Sequence, residues 1–382
     1  MAKKLRVGIL FGGRIGEHEV SLQSAASILK AIDRRKFDVV PIGIDKAGRW
    51  LIAEAAERLL EGRSLPANPG TQSLDSTAAG GADLVGVDPV GADSAIDSDR
   101  ALGGQRLDVV FPVLHGTFGE DGTIQGLFEL AGMAYVGSGV LGSAAGMDKD
   151  LMKRLFAQAK LTVVKHVTLL RADWEKSPRK AIAQVEARLK YPVFVKPANL
   201  GSSVGISKAH DRKELGPALT LAAKYDRKLV VEQGVGGSKA KAREFEVAVL
   251  GNDAPQASVV GEIVPGKEFY DYEAKYLSES SVPVIPARLT RAEAKQIREM
   301  ALAAFRACDL SGLARVDFLM EPEGSRRIYL NEVNTMPGFT KISMYPKLWE
   351  ATGIKYKDLI TLLIELALER HHEKSRTIYS RN

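Results

Sequence analysis

Cysteine is nearly absent from this 382-residue sequence, where Cys308 stands alone. One thiol cannot close an internal disulfide, which fits a reducing compartment. In TRAEAKQIREMALAAFRACDL it follows Ala304 by four residues and Phe305 by three, on the apolar side of a helix. A packed thiol rather than a nucleophile is expected there. No run of about 18 apolar residues occurs, so no transmembrane helix is expected. MAKKLRVGILFGG places only a short apolar run between two lysines and the charged GEHE, which suits a first core strand better than a leader. The net charge is a modest +6. Without a basic stripe interleaved with aromatics, nucleic acid is not an expected partner. Internal repeats are missing too, and His371-His372 is too short for a metal tract.

What is present is enough chain for two or three domains. LRVGILF, DVVPIGI and LDVVFPVLH read as strands, and SLQSAASILKAI as a helix with Ser21 at its N-cap. That alternation argues for a parallel sheet with helices on its faces. Residues 62–106 are rich in Gly, Ala, Asp and Ser and read as a surface excursion, with a short strand expected at ADLVGVDPV. A boundary falls just before the helix MDKDLMKRLFAQAKL. Beyond it come VTLL, a helix PRKAIAQVEARL, the strands YPVFVKP and KLVVEQ, and then REFEVAVLG and PQASVVGEIV. Thr290 with Glu293 forms a capping box for the next helix. YKDLITLLIELALER ends the pattern with a broad apolar face for the body or for a partner.

Several stretches carry chemistry. GLARVDFLM pairs with RRIYLNEVN, and the face of Ile328 and Leu330 runs on into Glu332 and Asn334, where apolar residues are due. A four-residue loop from Pro322 to Ser325 sets Arg315 opposite Glu332, with Asp317 as diagonal neighbour. That face suits Mg²⁺, which takes one or two carboxylates; a structural Arg–Glu pair is the other reading. VFVKPANLGSSVGISK delivers Lys196 on a strand and then a glycine-serine loop that continues as strand. Its backbone N–H groups could cradle an anion, or it is a plain turn; its spacing is not that of a Walker loop. LVVEQG could line a base pocket through Glu232, or simply end a buried strand. Gly12-Gly13 of FGGRIGEHEV opens a turn that misses the dinucleotide pattern, with Glu17 near a helix start. His115 closes a strand in VLHGTFGEDG, where ligands gather in α/β sheets. FYDYEAKYLSE has the polarity of a lid.

In their order, MDK, VKPANLGSSVG, LVVEQG, YDYEAKY, ARVDF and LNEVNTMPGFT resemble the ATP-grasp superfamily. With GEHEVSLQSA and LHGTFGEDGT, residues 5 to 370 resemble the D-alanine–D-alanine ligase family. The resemblance implies an α/β fold, α+β in its C-terminal part, with three domains: a parallel-sheet substrate domain at 1–137, a central ATP-grasp domain at 138–233, and a catalytic domain at 234–382 with a lid near 265–282. It implies a cytoplasmic homodimer that joins two D-alanines for peptidoglycan, with no membrane or nucleic-acid partner. ATP would be held by Lys149, Lys196, Ser203, Glu232, Gln233 and Glu244. Asp317, Glu332 and Asn334 would bind two Mg²⁺ ions, with Mn²⁺ as an alternative.

The same resemblance implies that Glu17, linked through Ser202 to Tyr276, meets the first amine. Arg315 and the backbone of Gly338 would stabilise an oxyanion, Ser343 would take the second carboxylate, His115 would lie near the first, and a substrate-binding lid would carry Lys275 and Tyr276. Two departures stand out: Ile15 replaces the family's usual serine, and GGSKAKAR before Glu244 is long. D-Alanine–D-lactate and D-alanine–D-serine ligases, or a non-catalytic ATP-binding protein on the same fold, are the alternatives. Tyr276 argues against the lactate branch, and the intact acids argue against lost catalysis.

Overall fold

Val7, Ile9, Leu10 and Phe11 are buried on both faces of the first strand, as the central strand of a covered parallel sheet must be. The computed structural model describes residues 3–14, 16–63, 73–74, 106–236, 241–264 and 282–379. In its first sheet β1 (Leu5–Gly12) runs parallel to β2 (Phe37–Ile44) on one side and to β5 (Val109–Val113) on the other. β3 (Trp50–Ile52) and β4 (Ser73–Leu74) extend the β2 edge antiparallel, so the expected parallel sheet is its central three strands. The strand expected at ADLVGVDPV and the departure at Ile15 lie outside the described residues.

The first helix starts earlier than expected. α1 spans His18–Ala31 with Glu17 at its N-cap position. Ser21 is therefore inside the helix, where it accepts from the Gly12 N–H and donates to the Val113 carbonyl. A hydroxyl that can satisfy groups on two neighbouring strands has no need to cap.

The other two sheets are antiparallel. One has the order β6 (His166–Leu170), β9 (Lys228–Gln233), β7 (Val193–Pro197), β8 (Ser207–Ala209). The other has the order β12 (Val282–Val284), β11 (Gln256–Val264), β10 (Arg243–Gly251), β13 (Gly312–Met320), β14 (Ile328–Asn334). A helix over Lys149–Gln158 sends Met152 and Phe156 into the core of this last sheet. Asp148 caps it, accepting from Asp150 and Leu151 N–H at 3.1 and 2.9 Å, so Lys149 leads its first turn. The helix Arg291–Ala307 begins with the expected Thr290–Glu293 capping box. It packs Ile297, Ala301, Ala304 and Phe305 on the same core, with Cys308 buried beside them.

The last helix, Tyr356–Ser375, buries Leu359, Ile360, Leu363 and Ile364 in one cluster with Val7, Ile9 and Phe111. Its broad apolar face is thus met by the body of the protein, and it joins the first sheet to the third.

Candidate active site

Two single-residue shifts decide the site's register. The last ladder pair of β13 and β14 is Met320 with Ile328, and Glu321 N–H donates to Arg327 C=O at 3.1 Å. Five residues, Pro322 to Arg326, therefore turn the chain instead of the four expected. A second residue, Asn331, bulges between the pairs Phe318–Leu330 and Asp317–Glu332. One shift alone would exchange the faces of the strand; the second restores them. Asp317 consequently stands opposite Glu332, and Arg315 opposite Asn334, not Arg315 opposite Glu332.

The bulge also corrects the expected core face. Ile328 and Leu330 point into the core, and after Asn331 it is Val333 that continues there. Glu332 and Asn334 lie on the opposite, open face, so Glu332 does not interrupt the apolar core. Across three strands Glu246, Asp317 and Glu332 form one row. Arg315 spans it: Nε and Nη2 each donate to Asp317 at 2.7 Å, and Nε lies 3.2 Å from Glu246. Asn334 donates to Asp317 at 3.0 Å. Carboxylates directly opposed on paired strands repel, and a divalent cation shared between them removes that repulsion. Among the described residues no cluster of three His, Cys, Asp or Glu could hold a metal. Two carboxylates and an amide suit a hard cation that fills its shell from phosphate and water.

Lysines face these acids from the helix Lys149–Gln158 and from β7. Lys149 Nζ lies 3.8 Å from Glu332 and donates to the Leu200 carbonyl at 2.8 Å. Lys196 Nζ donates to one oxygen of Glu232 at 2.8 Å, and Lys153 Nζ lies 3.0 Å from the other. Burial drives the Glu232 carboxyl upward, but the two ammonium groups outweigh it and hold it at about 2. The Glu232 carboxylate, expected at an adenine amine, thus holds two lysines, and the Gln233 side chain accepts from Lys190 N–H at 3.0 Å. Glu244 shares the open face with Glu246, one strand from Arg315.

The glycine-serine loop reaches back to the first sheet. Ser202 and Ser203 both adopt left-handed backbone, at φ 52° and 58°, a strained pair for non-glycine residues. Ser202 donates to the Glu17 carboxylate. At Gly201 an added Cβ would come within 3.1 Å of Glu17, so glycine permits this approach. A cleft lies here, with Lys149, Ser202, Ser203, Glu332 and Asn334 in its walls.

Glu120 lines the same cleft. Its carboxylate accepts from Gly116 and Met336 N–H, both at 2.7 Å. Burial, aided by the charge of Glu17, pushes this carboxyl up to about 7. His115 is buried beyond it, with Nδ1 2.8 Å from the Met336 carbonyl; burial lowers its pKa below the ordinary value. Gly338 and Ser343 adjoin, since a Cβ on Gly338 would lie 3.1 Å from Ser343 Oγ. Ser343 Oγ in turn accepts from Thr340 N–H at 3.1 Å. Lys275 and Tyr276 fall outside the described residues.

Sequence reasoning missed Glu120, Lys153 and Glu246. Lys153 was readable as one helical turn beyond Lys149, and Glu246 by alternation from Glu244. Only the fold brings Glu120 against Met336.

An antiparallel sheet pair closing on a cleft of lysines, a glycine-serine loop and opposed carboxylates defines an ATP-grasp protein. Family models described as the N-terminus and C-terminus of D-ala D-ala ligase match residues 6–138 and 155–365. The chain therefore belongs to the D-alanine–D-alanine ligase family. It is 48% identical over 379 residues to the D-alanine–D-alanine ligase of Geobacillus kaustophilus, covering 99% of this chain and 98% of that one. It is 50% identical over 379 residues to that of Heliobacterium modesticaldum, with coverage of 99% and 98%. Among solved structures, the D-alanine–D-alanine ligase from Coxiella burnetii superposes with a TM-score of 0.75 at 33% identity, covering 98% and 97%. The VanG D-Ala:D-Ser ligase from Enterococcus faecalis gives 0.77 at 35%, covering 96% and 100%.

Proposed function

We propose that the protein joins two D-alanines into D-alanyl-D-alanine for peptidoglycan synthesis, converting ATP to ADP and phosphate. The observation that carries this reading is the convergence on one cleft of Lys149, Ser202, which bonds Glu17, and Glu332, which stands opposite Asp317.

A carboxylate is a poor acyl donor, so its oxygen first takes the terminal phosphoryl group of ATP. Lys149 and Lys196 would balance charge on the phosphates, and Ser203 would add a donor over them. The strand end Glu232–Gln233 and Glu244 would border the nucleoside, with Glu232 keeping Lys196 oriented. Asp317, Glu332 and Asn334 would hold Mg²⁺, or Mn²⁺ in its place, which supplies charge neutralisation and alignment of phosphate oxygens. Glu17 would pair with the first amine, its carboxylate oriented by Ser202.

In the second step an uncharged amine attacks the acylphosphate carbonyl, and the carbonyl oxygen gains charge before phosphate departs. Arg315 and the Gly338 N–H would stabilise that oxyanion. Ser343 would hold the second carboxylate, with Lys275 and Tyr276 in the lid that excludes water. The reading extends to three domains at 1–137, 138–233 and 234–382, to the cytoplasm as compartment, and to a homodimer. The lone cysteine and the exposed Val140 and Leu141 at one helix start support the last two. Among the described residues no helix is long and apolar enough to cross a membrane.

Phosphate release measured with D-alanine, D-serine and D-lactate as competing second substrates tests this reading. Release is expected to require D-alanine and Mg²⁺ and to ignore L-alanine. Folded protein without D-alanine-dependent turnover would sink it.

A further inference from the structure

The turn Met336-Pro337-Gly338-Phe339 is tied down from both ends by side chains of the first sheet's unit. On one side His115 Nδ1 lies 2.8 Å from the Met336 carbonyl. On the other, Phe339 N–H donates to Ser24 Oγ at 3.3 Å. Ser24 Oγ and His115 Nε2 are themselves 3.1 Å apart, and both residues are buried, at 0% and 2% exposure. Two further bonds complete the frame: Met336 N–H to Glu120 at 2.7 Å, and Tyr356 O–H to the Phe339 carbonyl at 2.6 Å.

The chain of bonds admits one consistent assignment of hydrogens. A carbonyl only accepts, so Nδ1 of His115 carries the proton. In the neutral ring Nε2 is then an acceptor, which takes the Ser24 hydroxyl hydrogen. That leaves the Ser24 oxygen lone pairs to receive Phe339 N–H. Burial favours this neutral ring, because an imidazolium here would lose solvation. Both ring nitrogens are engaged within the protein.

We propose that Ser24 and His115 are a positioning pair that sets the Gly338 backbone N–H for the developing oxyanion. The pair brackets Pro337-Gly338 by one peptide group on each side and anchors it to α1 and the end of β5. It spans the turn without touching reacting atoms. This rests on the ligase reading, in which Gly338 serves the tetrahedral step. Donor placement within a few tenths of an ångström decides such stabilisation, so slack in the turn lowers kcat before it affects nucleotide binding.

The test compares wild-type protein with Ser24→Ala and Ser24→Cys. The readouts are kcat, KM for ATP, and inhibition by a tetrahedral phosphinate analogue of D-alanyl-D-alanine. For Ser24→Ala, kcat and analogue affinity should fall together by roughly tenfold to a hundredfold, less than for outright loss of an oxyanion donor. KM for ATP should stay within about twofold, because that interaction is common to ground and transition states. Ser24→Cys, which keeps a weaker donor at similar size, should fall between. Unchanged analogue affinity in both variants would overturn the proposal, as would equal weakening of ATP and analogue, which signals general loosening. Absence of D-alanine-dependent turnover in wild-type protein would overturn the ligase reading and the proposal with it.

Discussion

Asp317 and Glu332 face each other directly across the β13–β14 ladder, with Lys149 3.8 Å from Glu332 on the cleft side. Two like charges in register on neighbouring strands are unfavourable by themselves. On this open face, where Arg315 and Asn334 also bond Asp317, they are the pair proposed to hold Mg²⁺.

Replacing Glu332 by Gln should therefore cut turnover while sparing the fold. The side chain is 20% exposed, lies off the core face and loses the long contact to Lys149, so stability should change by no more than about 1 kcal/mol. Loss of one of the two carboxylates proposed to hold Mg²⁺ should lower kcat/KM by ~10³-fold, about 4 kcal/mol of transition-state stabilisation. Steady-state kinetics and a urea melt check both parts. Collapse of the melt would point to a structural ion pair instead.

Lys153 should matter chiefly for stability. It is fully buried between Glu232, at 3.0 Å, and the carbonyl of the bulged Asn331, at 3.0 Å. Lys153→Met leaves part of a buried carboxylate uncompensated, at a cost of about 3–5 kcal/mol. The double variant with Glu232→Gln should recover part of that loss, because the residues are directly coupled. Strict additivity in denaturant titrations would argue against the pairing.

Glu120 should give stability a pH dependence of definite sign. Its folded pKa of about 7 stands above the ordinary 4.5. Its contribution is therefore fully present below about pH 4.5 and is lost as pH rises through 7. The full excursion is worth about 3 kcal/mol. In Glu120→Gln the fall in thermal stability between pH 5 and 8 should flatten. An identical slope in variant and wild type would reject the assignment.

Cys308 should be inert in the native protein. It is 1% exposed, and burial pushes its thiol up to about 12. A thiol reagent at pH 8 should label it only after denaturation, at a rate set by unfolding. Rapid native-state labelling, read by mass spectrometry, would contradict the packing described.

Much of this site was legible because its parts are local. KLVVEQ and REFEVAVLG coincide with β9 and β10 as strands of continuous burial, and the Thr290–Glu293 capping box stands as read. Placing Arg315, Asp317, Glu332 and Asn334 on one face also survived, although the pairing within it did not. Loop length and the Asn331 bulge depend on how the hairpin twists on its helices, and alternation cannot count an extra residue. Ser21 shows the same limit from another side: a helix-capping residue by type, it bonds two strands because the sheet brought them within reach.

The sequence alone determined the element types, the lysines and acids available for phosphate and metal, and the membership implied by their order. These follow from periodicity and from residue chemistry, which act within a few neighbours along the chain. Only the tertiary structure decided that Asp317 opposes Glu332, that Glu232 serves two lysines, and that Ser24, His115 and Glu120 hold the turn carrying Gly338. Those contacts join residues as many as 315 positions apart. Their distances are set by which faces pack together, a property no local pattern carries.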